Sequence, residues 1–141
     1  LDTYQTLKDD LTISTYAYHI LELVDKMTVE NQEGRILYGN LVEVLKRLSK
    51  NPRQILVRAF EVKILSVSGF INFSSESRMY TPGVSAGTGE ILKTLENLQW
   101  EQIEKIKVDE KQALELERVL RYHVEKVIES SLKSRQFLKK I

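Results

Sequence analysis

Apolar residues return along most of this chain at the spacing of one helix face. Leu11, Tyr16, Ile20, Leu23, Val24 and Met27 form a stripe that predicts a helix over about residues 5–28. The polar stretch Glu30-Asn31-Gln32-Glu33-Gly34 ends it. Leu37, Leu41, Val44, Leu45 and Leu48 make a second series, broken by Ser49-Lys50-Asn51-Pro52. Asn51 is expected to cap a third helix and Pro52 to fit its first turn, where a missing N–H costs nothing. That helix carries Leu56, Ala59, Phe60, Lys63, Ile64 and Val67 and should close at Gly69, since glycine readily takes the left-handed conformation of a helix end.

Residues 70–89 break the pattern. Gly, Ser, Thr and Pro fill ten of these twenty positions, which predicts a long irregular loop with a short extended piece at Met79–Thr81. A shorter helix follows, with Ile91, Leu92, Leu95 and Leu98 on one face. Trp100 to Val108 reads as a connector that packs Trp100, Ile103 and Ile106 onto the core. Asp109 and Gln112 have the spacing of a capping box, opening a long helix with Leu116, Leu120, Val124 and Val127 inward. A final turn or short helix should carry Leu132, Phe137, Leu138 and Ile141. The prediction is an all-α fold of five to six helices around one core, a single helical domain over residues 1–141.

Bulk composition narrows the class. A chain of 141 residues, 42% apolar and 29% charged, suits a folded domain with a sizeable core. No apolar run approaches the ~20 residues of a membrane span. The polar, acidic opening from Leu1 is unlike a signal peptide and reads as a fragment of a longer protein. With no cysteine, the chain has no disulfide, thiolate metal site or thiol nucleophile, which fits a cytosolic protein.

Charge is segregated although the net is only +1. Residues 1–33 carry seven acids against two bases, and residues 34–63 carry seven bases against two acids. Residues 126–141 carry five bases against one acid. Lys46, Arg47, Lys50 and Arg53 cluster at the predicted corner between the second and third helices, with Arg58 and Lys63 one and two turns further on. The tail adds Lys126, Lys133, Arg135, Lys139 and Lys140. If the fold joins tail to corner, one electropositive surface results. It would suit nucleic-acid phosphates, with steep salt dependence. A basic rim around an apolar pocket would equally suit an acidic peptide ending in a hydrophobic residue. The alternative is a solvated helix face. Tyr38, Phe60 and Phe137 lie among the basic residues as stacking candidates, but core positions suit them better.

No catalytic constellation appears. His19 and His123 lie on different helices, and each reads as a hydrogen-bonded, partly buried side chain. There is no H-E-x-x-H, no phosphate loop with Lys and no G-x-S-x-G. Asp9-Asp10 and Asp109-Glu110 are expected near helix starts, where the helix dipole stabilises negative charge. The expectation is a protein that is not an enzyme and holds no metal or cofactor.

Three segments together resemble the C-terminal helical domain of the RecO family of bacterial repair proteins. They are Tyr16-Ala17-Tyr18-His19-Ile20-Leu21-Glu22-Leu23-Val24, the block from Phe60 to Phe70, and Ser131-Leu132-Lys133-Ser134-Arg135-Gln136-Phe137-Leu138. The resemblance implies a non-enzymatic mediator of recombinational repair, whose N-terminal OB-fold domain is absent from this chain. Implied partners are single- and double-stranded DNA, RecR and the acidic C-terminal tail of single-stranded-DNA-binding protein. Implied roles are strand annealing and RecA loading, in the cytoplasm at the nucleoid. The sites expected to serve these partners are Lys46, Arg47, Lys50, Arg53, Arg58, Lys133, Arg135, Lys139 and Lys140. A generic helical interaction module without nucleic-acid binding is the other reading. Many family members carry a zinc knuckle after the Phe60–Phe70 block. Here Ser74-x-x-Ser77 and Ser85-x-x-Thr88 stand at a similar spacing, and hydroxyls are poor zinc ligands beside thiolates. No zinc is expected, and packing of Phe70, Ile71, Phe73, Met79 and Tyr80 would have to order the loop.

Overall fold

The computed structural model describes residues 3–27, 34–69, 71–73 and 84–139, with side chains for 7–27, 34–69, 71–73, 84–130 and 132–133. Six helices and no strand occur among the described residues: α1 (Thr3–Met27), α2 (Gly34–Lys50), α3 (Gln54–Val67), α4 (Ala86–Asn97), α5 (Trp100–Ile103) and α6 (Glu110–Lys139). The fold is all-α, as the periodicities predict.

α3 is the hub. Nine of its fourteen residues are buried, from Ile55 to Leu65, so it is apolar nearly all round. It packs against all five other helices. Phe60 is fully buried at its centre, and with Val62, Ile64 and Leu65 it makes the first half of its block core and excludes Phe60 as a stacking residue. Ile20, Leu23 and Met27 of α1, Leu37, Val44 and Leu48 of α2, and Leu116, Leu120, Val124 and Val127 of α6 complete the same cluster. From α4 and the α5 connector come Leu92, Leu95, Trp100 and Ile103.

The helix ends follow local chemistry in most places. Gly69 takes φ +78° and donates to the Ser66 carbonyl at 3.0 Å, closing α3. Asp109 accepts from the Gln112 N–H at 2.8 Å while its own N–H donates to Gln112 Oε1 at 3.1 Å. That reciprocal box starts α6.

Several expectations need correction. Asn51 does not cap α3: its N–H donates to the Arg47 carbonyl at 2.9 Å and so belongs to the end of α2. Arg53 is the N-cap, extended at φ −115° and without a side-chain cap, and Pro52 lies before the first turn. The irregular segment ends earlier than 89, because Ser85 caps α4 by accepting from the Thr88 N–H. The extended piece at 79–81 lies outside the described residues, as do Phe70, Ser74, Ser77, Met79 and Tyr80. Ile71 and Phe73 do pack on the core, and the Phe73 N–H donates to Glu96 Oε2 at 2.9 Å. The expected final short helix is instead the end of a continuous α6, since neither Gly nor Pro interrupts residues 110–139. Leu132 on it is 51% exposed and not inward. Leu11 is 70% exposed and Tyr38 67%. Leu11 belongs to a second apolar stripe of α1, on the side away from the core. Asp9 and Asp10 lie about two turns inside α1, beyond reach of its dipole's positive end.

Candidate anion-binding cleft

The basic corner is largely a set of internal anchors. Arg47 reaches three carboxylates: Nε to Glu43 at 3.0 Å, Nη2 to Glu101 at 3.1 Å and Nη1 to Glu104 at 3.0 Å. Burial opposes its charge, but the hydrogen bonds it donates to Glu43 and Glu104 outweigh that and raise its pKa. Arg53 forks onto two backbone carbonyls, Nη1 to Glu104 and Nη2 to Ile106 at 2.7 Å. Lys63 donates to the Leu98 carbonyl at 2.9 Å and lies 5.7 Å from the Trp100 ring centroid. Its pKa is lowered by burial, with Glu96 partly opposing. These three cations fasten the 98–106 connector onto α2 and α3. Lys46 and Lys50 are exposed, with no ion pair among the described residues.

Arg58 is arranged differently. Its Nη1 contacts Glu61 Oε1 at 2.5 Å, and Glu61 is only 2% exposed. Arg58 Nε is buried without a hydrogen-bond partner. An unmet buried donor costs about 1–3 kcal/mol.

This side chain lines a cleft of about 440 Å³ between the start of α3 and the start of α6. Arg53, Arg58 and Lys107 supply three positive charges; Ile55, Val108, Ala113 and Leu116 supply apolar wall; Gln54 completes the lining. The first turn of α3 has no side-chain cap, and Arg53, Gln54 and Ile55 at its start line the cleft. Lys107 is exposed and has no ion pair among the described residues. Such a site can pair a carboxylate with cations and helix N–H groups while an apolar side chain enters beside them.

Sequence reading placed Arg53 and Arg58 here but missed Lys107 and Val108. A signal existed: Val108 precedes the Asp109 cap and Ala113 sits at the fourth helical position, the arrangement of a hydrophobic staple. Both residues of that staple line the cleft.

The tail does not join this corner. Ala113 lines the cleft and Lys133 lies twenty residues further along the same helix, about 30 Å at 1.5 Å per residue. Lys133 is exposed and pairs with Glu129 at 3.1 Å. The backbone of Arg135 and Lys139 continues α6, their side chains lie outside the described residues, and Lys140 lies outside altogether.

A second groove, about 420 Å³, runs between α1, α3 and α6 on the other side of Arg58. His19 Nε2 lies 3.0 Å from Glu61 Oε2 there. His123 is buried, with its ring edge-on to Phe73 and Tyr122 at centroid distances of 6.1 and 5.2 Å. Ser85 and Thr88 both direct their hydroxyls to Glu115 Oε2, at 2.8 Å from Ser85. Those hydrogen bonds, Thr88 first, lower the Glu115 pKa. Among the described residues no cluster of His, Asp and Glu could hold a metal ion. No helix there is long and apolar enough to cross a membrane.

The structure defines a helical domain built on one central helix, with a basic cleft at its edge. The sequence profile described as "Recombination protein O C terminal" matches residues 8–82 and 72–136, and the chain belongs to that family. It is 27% identical over 166 residues to the DNA repair protein RecO of Pelotomaculum thermopropionicum, covering 98% of this chain and 65% of that protein. It is 25% identical over 169 residues to the DNA repair protein RecO of Desulforamulus reducens, with the same two coverages. A 70-residue stretch, 49% of this chain and 28% of the relative, is 31% identical to the DNA repair protein RecO of Listeria monocytogenes. The chain therefore spans 65% of the length of its two full-coverage relatives. No solved structure matches it significantly.

Proposed function

We propose that this chain is the helical part of a recombination mediator and that it works by binding. Its cleft between α3 and α6 takes the acidic, hydrophobic-ended C-terminal tail of single-stranded-DNA-binding protein. The observation that carries this reading is a cleft that gathers Arg53, Arg58 and a Lys107 unpaired among the described residues with four apolar side chains at a helix start without a side-chain cap. A terminal carboxylate pairs with the cations of the cleft, and upstream acidic residues meet Lys107 and the more distant Lys46 and Lys50. The relatives, DNA repair proteins by name, support a role in repair.

DNA and RecR are further partners in this proposal. Lys133 on α6, with Arg135, Lys139 and Lys140 after it in the sequence, suits phosphates better than the anchored cations at the corner do. Strand annealing and RecA loading follow from such binding, in the cytoplasm, without catalysis by this chain.

Fluorescence anisotropy tests the proposal with two labelled probes at two salt concentrations. One is an acidic peptide ending in Phe with a free carboxylate; the other is single-stranded DNA. Both are expected to bind more weakly at higher salt. C-terminal amidation of the peptide is expected to reduce its affinity. If neither probe binds at low salt, the domain is a generic interaction module instead.

A further inference from the structure

Glu61 divides its carboxylate between two helices. Oε1 accepts from Arg58 Nη1 at 2.5 Å, one turn earlier on α3, and Oε2 meets His19 Nε2 of α1 at 3.0 Å. A carboxylate only accepts, so Nε2 is the donor and Nδ1 takes the titrating proton. The Glu61 side chain is 3% exposed and that of His19 42%, so the carboxylate is sealed while the ring exchanges protons with water. Arg58 borders both cavities, the cleft at the start of α3 and the groove where His19 stands. An apolar pair of similar volume often serves a structural wall as well, so stability alone does not account for charges here.

We propose that His19 and Glu61 are positioning residues for Arg58, and that protonation of His19 tightens the cleft's hold on an acidic peptide. This rests on peptide docking in that cleft. With His19 neutral, Glu61 is chiefly the counter-ion of Arg58. With His19 charged, both hydrogen bonds to Glu61 join opposite charges, and one carboxylate serves two cations. Arg58 then has charge to spare for a peptide carboxylate on the cleft side. The coupling is reciprocal: a peptide that takes up Arg58 leaves Glu61 to His19 and favours its protonation.

The other charged groups of the groove are differently engaged. Glu22 and Lys26, on α1 with His19, pair with each other at 2.5 Å. From α6, Glu117 pairs with Arg121, and Glu125 pairs with no cation among the described residues. Among the described residues only Glu61 lies within ion-pair reach of His19.

Calorimetric titration of the acidic, Phe-ended peptide at pH about 8 and about 5.5 tests this. The two values lie either side of the ordinary histidine pKa and above the range where carboxylates protonate. The unsubstituted chain should bind about three-fold more tightly at the lower pH. His19→Gln can still donate to Glu61 but does not titrate, and should bind equally at both. Glu61→Gln, its helix content checked by circular dichroism, leaves Arg58 without a shared carboxylate. It should bind more tightly than the unsubstituted chain at the higher pH and lose most of the pH response. His123→Phe and Lys107→Glu should keep that response, the second at weaker overall affinity. A role confined to stability would leave the ratio of affinities at the two pH values the same in every folded variant. That result, or a pH response kept by His19→Gln, would overturn the relay and leave docking in the cleft standing. No binding by any variant would overturn both.

Discussion

Arg58 and Glu61 share a 2.5 Å ion pair that separates two cavities, the cleft at the start of α3 and the groove beside α1. Glu61 is held from the other side by His19 at 3.0 Å. Breaking a buried pair leaves an uncompensated charge and costs about 3–5 kcal/mol. Glu61→Ala should approach the lower figure in urea unfolding, because Arg58 retains some solvent contact. Glu61→Leu with Arg58→Met should recover most of the loss. A double variant as unstable as Glu61→Ala would show that the charges, and not the volume, hold this wall.

Arg53 connects the corner to a segment more than fifty residues later. Its guanidinium meets the carbonyls of Glu104 and Ile106 together. Arg53→Ala should cost about 1–3 kcal/mol by leaving two part-buried carbonyls unmet. Arg53→Lys should rescue little, since an ammonium cannot present the planar fork. Thermal unfolding checks this, and full recovery by lysine would refute the fork.

His123 should make the fold acid-sensitive. Burial, aided by the Lys126 ammonium, holds its pKa below the ordinary 6.5. Between the folded value and 6.5 the unfolded chain binds a proton that the folded chain refuses. Stability therefore rises with pH through that window and is lost as pH falls below about 6.5. His123→Phe, which keeps a ring against Phe73 and Tyr122, should flatten this part of the profile. An unchanged slope would assign the acid sensitivity to another group.

Ser85 has two tasks, capping α4 and holding Glu115 together with the fully buried Thr88. Ser85→Ala should cost about 1–2 kcal/mol as the cap is lost. Thr88→Val should cost a similar amount, leaving Glu115 with one hydroxyl. Urea denaturation of both variants measures this; no change in Thr88→Val would mean the buried hydroxyl contributes nothing.

Local rules were readable in the sequence and long-range ones were not. The Asp109–Gln112 box, the turn at Gly69 and the apolar faces of α2, α3 and α6 each depend on residues within a few positions. Leu11 misled because α1 carries two apolar stripes, and periodicity does not say which one meets a core. The end of the chain reads as a separate short helix, yet neither Gly nor Pro breaks α6, and serine is tolerated within a helix held by its neighbours. Most of all, the basic corner suggested free charge. Glu101 and Glu104, which occupy Arg47, approach it only through folding. Lys107, seemingly incidental in a connector, remains available because no carboxylate among the described residues pairs with it.

The most direct test of the cleft is calorimetric titration of the acidic, Phe-ended peptide into Lys107→Glu and into Lys133→Glu. Both side chains are exposed, so neither change should disturb folding. Lys107→Glu should weaken binding by about ten-fold or more, from lost attraction and added repulsion, with Lys133→Glu close to the unsubstituted chain. Equal affinities for the two variants, or a larger loss in Lys133→Glu, would contradict peptide docking between α3 and α6.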